Sequence, residues 1–170
     1  MMNVFFEYRR KNQDVDWCFK NYLNHRHLKS IFDVREQLKT IVEKLEIGGT
    51  VKDEMPIKVN SIPIKKCILS GYFTQVALLQ KNNVYLTVKD SQVVVIHPGS
   101  VLAFRPEWVV YHELVLTKKN YMRTVMEIKP SWLFDIAPKY FRPETIKNVE
   151  TRKAVMQVEK GYIEGMKGKK

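Results

Sequence analysis

The sequence predicts an α+β fold: an N-terminal helical segment, then a small β-barrel or sandwich with flanking helices. Three observations carry this. Ile31, Val34, Leu38, Ile41 and Leu45 recur at spacings of three and four, one apolar stripe on a helix. From Val84 onward, Val84–Val88 and Val93–Ile96 are rich in β-branched and aromatic residues, with Asp90-Ser91 between them as a turn. Trp108–Leu116 and Tyr121–Ile128 form a second such pair, joined through Lys118-Lys119-Asn120. Short strands linked by tight turns are the pattern of a barrel or sandwich.

Along the chain, Val4–Tyr8 and Trp17–Leu23 read as two short helices separated by the polar Arg9–Asp16. Ser30 is the expected N-cap of the striped helix, with Asp33 in its first turn and Gly48-Gly49 as its stop. Residues 48–61 are polar and proline-containing and read as a linker. Ile64, Ile68, Tyr72, Val76 and Leu79 return to helical spacing and predict a helix reaching Leu79, although Gly71 weakens it. Pro130 opens a helical turn ending near Pro138, and residues 142–170, lysine-rich with Gly161, Gly165 and Gly168, read as a frayed basic tail. The domains expected are therefore 1–47, the linker 48–61, a barrel over 62–141 and the tail 142–170.

A chain of 170 residues with 45% hydrophobic and 11% aromatic residues can bury one ordinary core, or a small domain plus a helical extension. The formal net charge of +11 favours an anionic partner. It is concentrated late: residues 61–141 carry 10 basic and 5 acidic side chains, and residues 142–170 carry 8 and 4. Cys18 and Cys67 make no disulfide framework and, with no signal-peptide pattern, point to a reducing intracellular compartment. Apolar runs such as Val93–Ile96 are too short to cross a bilayer.

Several chemistries find no support. Nucleotide hydrolysis needs a glycine-rich phosphate cradle followed by Lys-Ser/Thr, and the sequence has none, nor an Asp-Glu-x-His box. His25 and His27 follow Cys18, but structural zinc needs four ligands in tight pairs, and Cys18 and Cys67 stand 49 positions apart. No local signature pairs a cysteine with a histidine as a nucleophile. Glu107, Glu113 and Glu127 on or beside strands read as solvated faces, and His97 before Pro98 as a residue closing a strand end through a backbone hydrogen bond. No catalytic, cofactor-binding or metal-ligating residue is expected in this chain.

Binding residues are a different matter. Lys118, Lys119, Asn120, Tyr121 and Arg123 fall within six positions at one strand-to-strand turn. Lysines there neutralise phosphates, and a tyrosine ring stacks on a base without reading its identity. The competing reading is that Tyr121 packs inward and the lysines guard a strand edge against aggregation. Lys89 in the first hairpin turn and Arg105 before Pro106 could lie on the same rim.

Longer runs add a resemblance. Ile96-His97-Pro98-Gly99-Ser100-Val101-Leu102, Pro106–Val125, Gly71–Ala77, Tyr85–Asp90, Lys129–Leu133 and Ile136–Phe141 resemble the C-terminal oligonucleotide-binding (OB) barrel of DEAH-box RNA helicases. Asn3-Val4-Phe5, Trp17-Cys18, Asn21–Asn24 and Val34–Leu38 resemble the end of that family's helical ratchet domain. Gly99 stands where the family usually has a serine. The resemblance implies a five-stranded OB-fold-like barrel, part of a nuclear ATP-dependent helicase of pre-mRNA splicing or ribosome biogenesis. ATP and Mg²⁺ would belong to the motor domains of that parent. Implied partners are single-stranded RNA, the motor and winged-helix domains and G-patch proteins, with no membrane. Lys89, Arg105, Lys118, Lys119, Asn120, Tyr121 and Arg123 are the expected RNA-binding residues. A protein-docking module without RNA contact, or a free-standing single-strand binder beginning at Met1, are the rival expectations.

Overall fold

The computed structural model describes residues 2–46, 60–102 and 104–168. The chain divides into two compact units, Met1–Val59 and Asn60–Lys170. In the first, α1 (Met2–Arg10), α2 (Val15–Lys20) and α3 (His25–Lys44) are helices. Asp14 caps α2, its Oδ1 accepting from the Asp16 amide at 2.8 Å. Asn24 caps α3 by accepting from the His27 amide at 3.1 Å. Ser30 is therefore not the cap: Asn caps as well as Ser, and nothing between residues 25 and 30 interrupts the helix. The small core of this unit holds Tyr8, with its ring edge-on to His25 at 5.8 Å, and Cys18. The stripe Ile31, Val34, Leu38, Ile41 and Leu45 stays exposed. The Gly48-Gly49 stop and most of the expected linker lie outside the described residues.

The second unit opens with α4 (Ser61–Tyr72), capped by Asn60, whose Oδ1 accepts from the Ile62 amide at 3.1 Å. Here the helix expected to reach Leu79 ends early. Val76–Leu79 is strand β1, paired with both neighbours in the sheet, and the Gln75 amide closes a turn onto Tyr72 O at 2.9 Å. Two ladders of backbone bonds outweigh a stripe that a helix and a strand buried on both faces share.

β2 (Tyr85–Thr87), β3 (Val93–Ile96), β4 (Trp108–Leu116) and β5 (Asn120–Glu127) follow. The five strands close a barrel in the order β1-β2-β3-β5-β4, antiparallel except for the parallel β3–β5 pair. Closure removes the free sheet edges. An α+β fold with a five-stranded barrel and flanking helices is thus what the chain adopts.

Strand alternation sorts the core into two layers. Ala77, Tyr85, Val94, Val109, Tyr111 and Met122 fill the barrel. Val76, Leu78, Trp108 and Val110 face outward and pack beneath helices through Leu69, Trp132, Leu133 and Val155. Helical cover thus lies over the outer faces of β1 and β4.

Residues 142–170 do not form a frayed tail. Pro143–Thr145 is a short 3₁₀ turn and α6 runs Val149–Lys167 through Gly161 and Gly165. Ile146, Thr151 and Val155 are fully buried, and α6 packs against α5 (Ser131–Ile136). Asn148 caps α6, accepting from the Thr151 amide at 2.9 Å. The apolar positions Val155, Val158 and Tyr162 hold one face on the core, which offsets the glycines' low helix propensity. Lys169 and Lys170 lie outside the described residues.

Candidate nucleic-acid interface

Outside the helical cover, alternation leaves another part of the barrel surface open. Val94 and Ile96 point inward, so Val93, Val95 and His97 point out. The register pairs Leu86 with Val93 and Val95 with Tyr121, placing all of them on one outer face. Val93 is largely exposed, and the His97 and Tyr121 rings meet edge-on at 5.6 Å. His97 is fixed on both sides. Its amide donates to Met122 O at 3.0 Å, and its Nδ1 accepts from the Gly99 amide at 3.0 Å. Nε2 therefore carries the ring proton in the neutral form. A Cβ at position 99 would lie 3.2 Å from that Nδ1, so a serine there would crowd the ring.

The β4–β5 turn ends this face. Lys118 and Lys119 are exposed and have no ion-pair partner among the described residues. Asn120 is half-buried and pairs with Leu116 in the ladder. Tyr121 is half-buried on the outer face and does not fill the barrel. Arg123 stands opposite Glu113 in register and is ion-paired to it at 3.2 Å, with both side chains about half exposed. Such a pair is worth ~0–1 kcal/mol and yields readily to a phosphate. Five of the seven expected residues, Lys118 to Tyr121 and Arg123, thus share one turn and its flanking strand.

The side chains of the other two are engaged elsewhere. Arg105 precedes β4, and its Nη1 donates to Asn83 O at 3.1 Å, tying down the β1–β2 turn. Trp108 and Leu116, the two ends of β4, are about 26 Å apart along the strand, so Arg105 lies at the opposite end from the lysine turn. Lys89 is half-buried. Its amine donates to the Thr145 hydroxyl and sits 4.5 Å from the centre of the Tyr140 ring, and desolvation lowers its pKa. It secures the segment leading to α6. Arg105 thus stands away from the lysine turn, whereas Lys89 lies in the β2–β3 turn, which the parallel β3–β5 register puts at the same end of the barrel as the lysines, with its amine engaged by Thr145.

The sequence pattern does not single out Val93, Val95 and the side chain of His97 as parts of the face, nor the β1–β2 turn, Gln80–Val84. An exposed valine within a β-branched run is a signal only once its strand neighbours are known. Among the described residues no group of His, Cys, Asp or Glu is placed to hold a metal ion. Nor is any helix among the described residues long and apolar enough to cross a membrane.

Comparison with known families agrees with this geometry. Residues 64–140 match a family described as an oligonucleotide/oligosaccharide-binding (OB)-fold. The matched span runs from within α4 to the residue before Phe141 and contains every strand of the barrel. The second unit is therefore built on an OB-fold domain, a binding barrel whose ligands elsewhere lie across its second and third strands and adjoining loops.

Proposed function

We propose that this chain is the non-catalytic C-terminal accessory region of an ATP-dependent DEAH-box RNA helicase, acting in the nucleus in pre-mRNA splicing or ribosome biogenesis. It binds single-stranded RNA through the backbone and packs on the motor and winged-helix domains, where ATP and Mg²⁺ are bound. The observation that carries the RNA reading is the uncovered outer face of β2, β3 and β5, ending at the unpaired Lys118 and Lys119 beside Tyr121. Lysines on a flexible stem neutralise phosphates, and the tyrosine edge offers a sequence-tolerant surface to a base. Base selectivity through these contacts is low, since phosphates carry no sequence.

A second reading has its own observation. The exposed apolar stripe of α3 is a surface for protein, and the chain would then dock motor domains or G-patch activators without touching RNA. Salt separates the two. In a fluorescence-anisotropy titration with short oligouridine, each phosphate that a side chain ceases to neutralise lowers the log–log salt slope by ~0.7 for a single strand. Lys118→Ala/Lys119→Ala/Arg123→Ala is expected to weaken binding at low salt and flatten that slope by about 2. Binding indifferent to the triple substitution removes RNA from this turn and leaves docking as the better account.

A further inference from the structure

On the same outer face, between β2–β3 and the β1–β2 turn, lies a cleft of about 310 Å³. This volume sits at the lower end of the ~300–1,000 Å³ range of small-molecule sites. It equals the space of about ten waters, enough for one heterocycle. Its apolar lining is Val84, Leu86 and Val93 on β2 and β3; its polar lining comes from Gln80, Lys81 and Asn82 in the β1–β2 turn and from Asn148 and Glu150 at the start of α6.

The polar groups are not equivalent. The Asn148 Oδ1 is occupied by the Thr151 amide, which leaves its Nδ2 to donate. Gln80 Nε2 is engaged by Leu78 O at 3.2 Å, which leaves its Oε1 to accept. Glu150 has no partner among the described residues, so its carboxylate offers two acceptor oxygens. The cleft therefore combines an apolar floor, a two-oxygen acceptor and an amide donor, with Lys81 at its polar rim.

We propose that this cleft takes a guanine base from the bound strand. Guanine presents N1–H and N2–H side by side, which a carboxylate accepts together, and its O6 accepts from an amide such as that of Asn148. Adenine meets the carboxylate with the lone pair of N1, and uracil offers a single N–H between two carbonyls. The ring lies on Val84, Leu86 and Val93, while Lys81 serves the phosphate. Val95, two residues and about 7 Å along β3 from Val93, is the register partner of Tyr121, so the cleft adjoins the strand that carries the lysine turn. One strand can thus occupy both. The base site rests on the RNA-binding reading and adds a base preference to it.

The test uses the full chain and labelled oligouridines carrying one central guanosine, one central adenosine or neither. The guanosine version is expected to bind about tenfold more tightly than the other two, the worth of one good bidentate base contact. Glu150→Gln is expected to remove that preference, read as the ratio of the guanosine-strand to the adenosine-strand affinity, which a uniform change in charge or stability does not move. Equal affinity for the guanosine and adenosine strands, or a preference that survives in Glu150→Gln, overturns the proposal. A second arm titrates guanosine monophosphate, and adenosine monophosphate beside it, into the unsubstituted chain, followed through the backbone amide resonances of Val93 and Glu150. Shifts with the guanine nucleotide alone support the cleft even where no oligonucleotide binds, in which case the RNA path fails and the base site stands. Absence of shifts overturns it.

Discussion

Thr124 is the residue whose backbone shapes the interface most. Met122 and Val125 both meet the barrel interior, yet they are three positions apart, and a regular strand turns such residues to opposite sides. Thr124 lies between them with φ 51°, and the β4–β5 register is interrupted there, with Tyr111–Val125 and Glu113–Arg123 on either side. This phase change leaves Met122 inside while Tyr121 and Arg123 stay outside. A β-branched residue in the left-handed region is strained by ~1–2 kcal/mol, whereas Asn visits that region routinely. Thr124→Asn is therefore expected to raise stability by about 1 kcal/mol, seen as a higher urea midpoint at unchanged m. Strand propensity alone predicts the opposite sign, so a lower midpoint refutes the kink. At this scale the lysine pair and Tyr121 were legible in the sequence as a basic, aromatic turn. The partners of Lys89 and Arg105, which come from the segment before α6 and from the β1–β2 turn, were not, because they are set by long-range packing.

Among the elements, β3, β4 and β5 declare themselves by uninterrupted β-branched and aromatic runs between turn residues. β1 and α6 do not. In β1, Val76–Leu79 is buried on both faces, so it lacks the alternation that marks a half-buried strand. In α6 the glycines and lysines mask an apolar face only one residue in three or four wide, and the composition reads as tail. Packing gives the decisive distinction. Val155 is fully buried against the cluster that includes Leu133 and Phe141. Val155→Ala is expected to cost about 2 kcal/mol through reduced burial and a residual cavity, measured as a lowered urea midpoint. A frayed segment would tolerate the change without effect. Because α6 also brings Glu150 to the outer cleft, beside its cap Asn148, the same element both covers the core and borders the ligand face.

For the molecule as a whole, the titrating groups set an alkaline limit. Tyr85 and Tyr111 are buried and Tyr140 is half-buried, and desolvation raises all three phenols above their ordinary value of 10.0. For Tyr85 the guanidinium of Arg105 opposes the shift, while the hydroxyl donates to Pro106 O at 2.7 Å and needs its proton to do so. The folded state holds these protons longer than the unfolded chain, so their contribution is fully present below pH 10 and is lost as pH rises through the folded values. Lys89 works the other way. Its lowered pKa means the unfolded chain binds the extra proton just below 10.5, so this one group makes stability rise with pH in that window. Tyr8, Tyr162 and the Cys18 thiol are raised as well, so five phenols and a thiol against one amine give a net fall above about pH 10. Thermal unfolding followed across that range is expected to show a falling midpoint, with the tyrosinate absorbance of the buried phenols appearing together with the loss of structure. Tyr85→Phe is expected to lose about 1–2 kcal/mol at neutral pH, because Pro106 O is left buried without its donor, and to show a shallower alkaline decline. A midpoint that stays level through this range, or phenols that ionise in the folded state at their ordinary value, would mean that the barrel interior admits water around these hydroxyls.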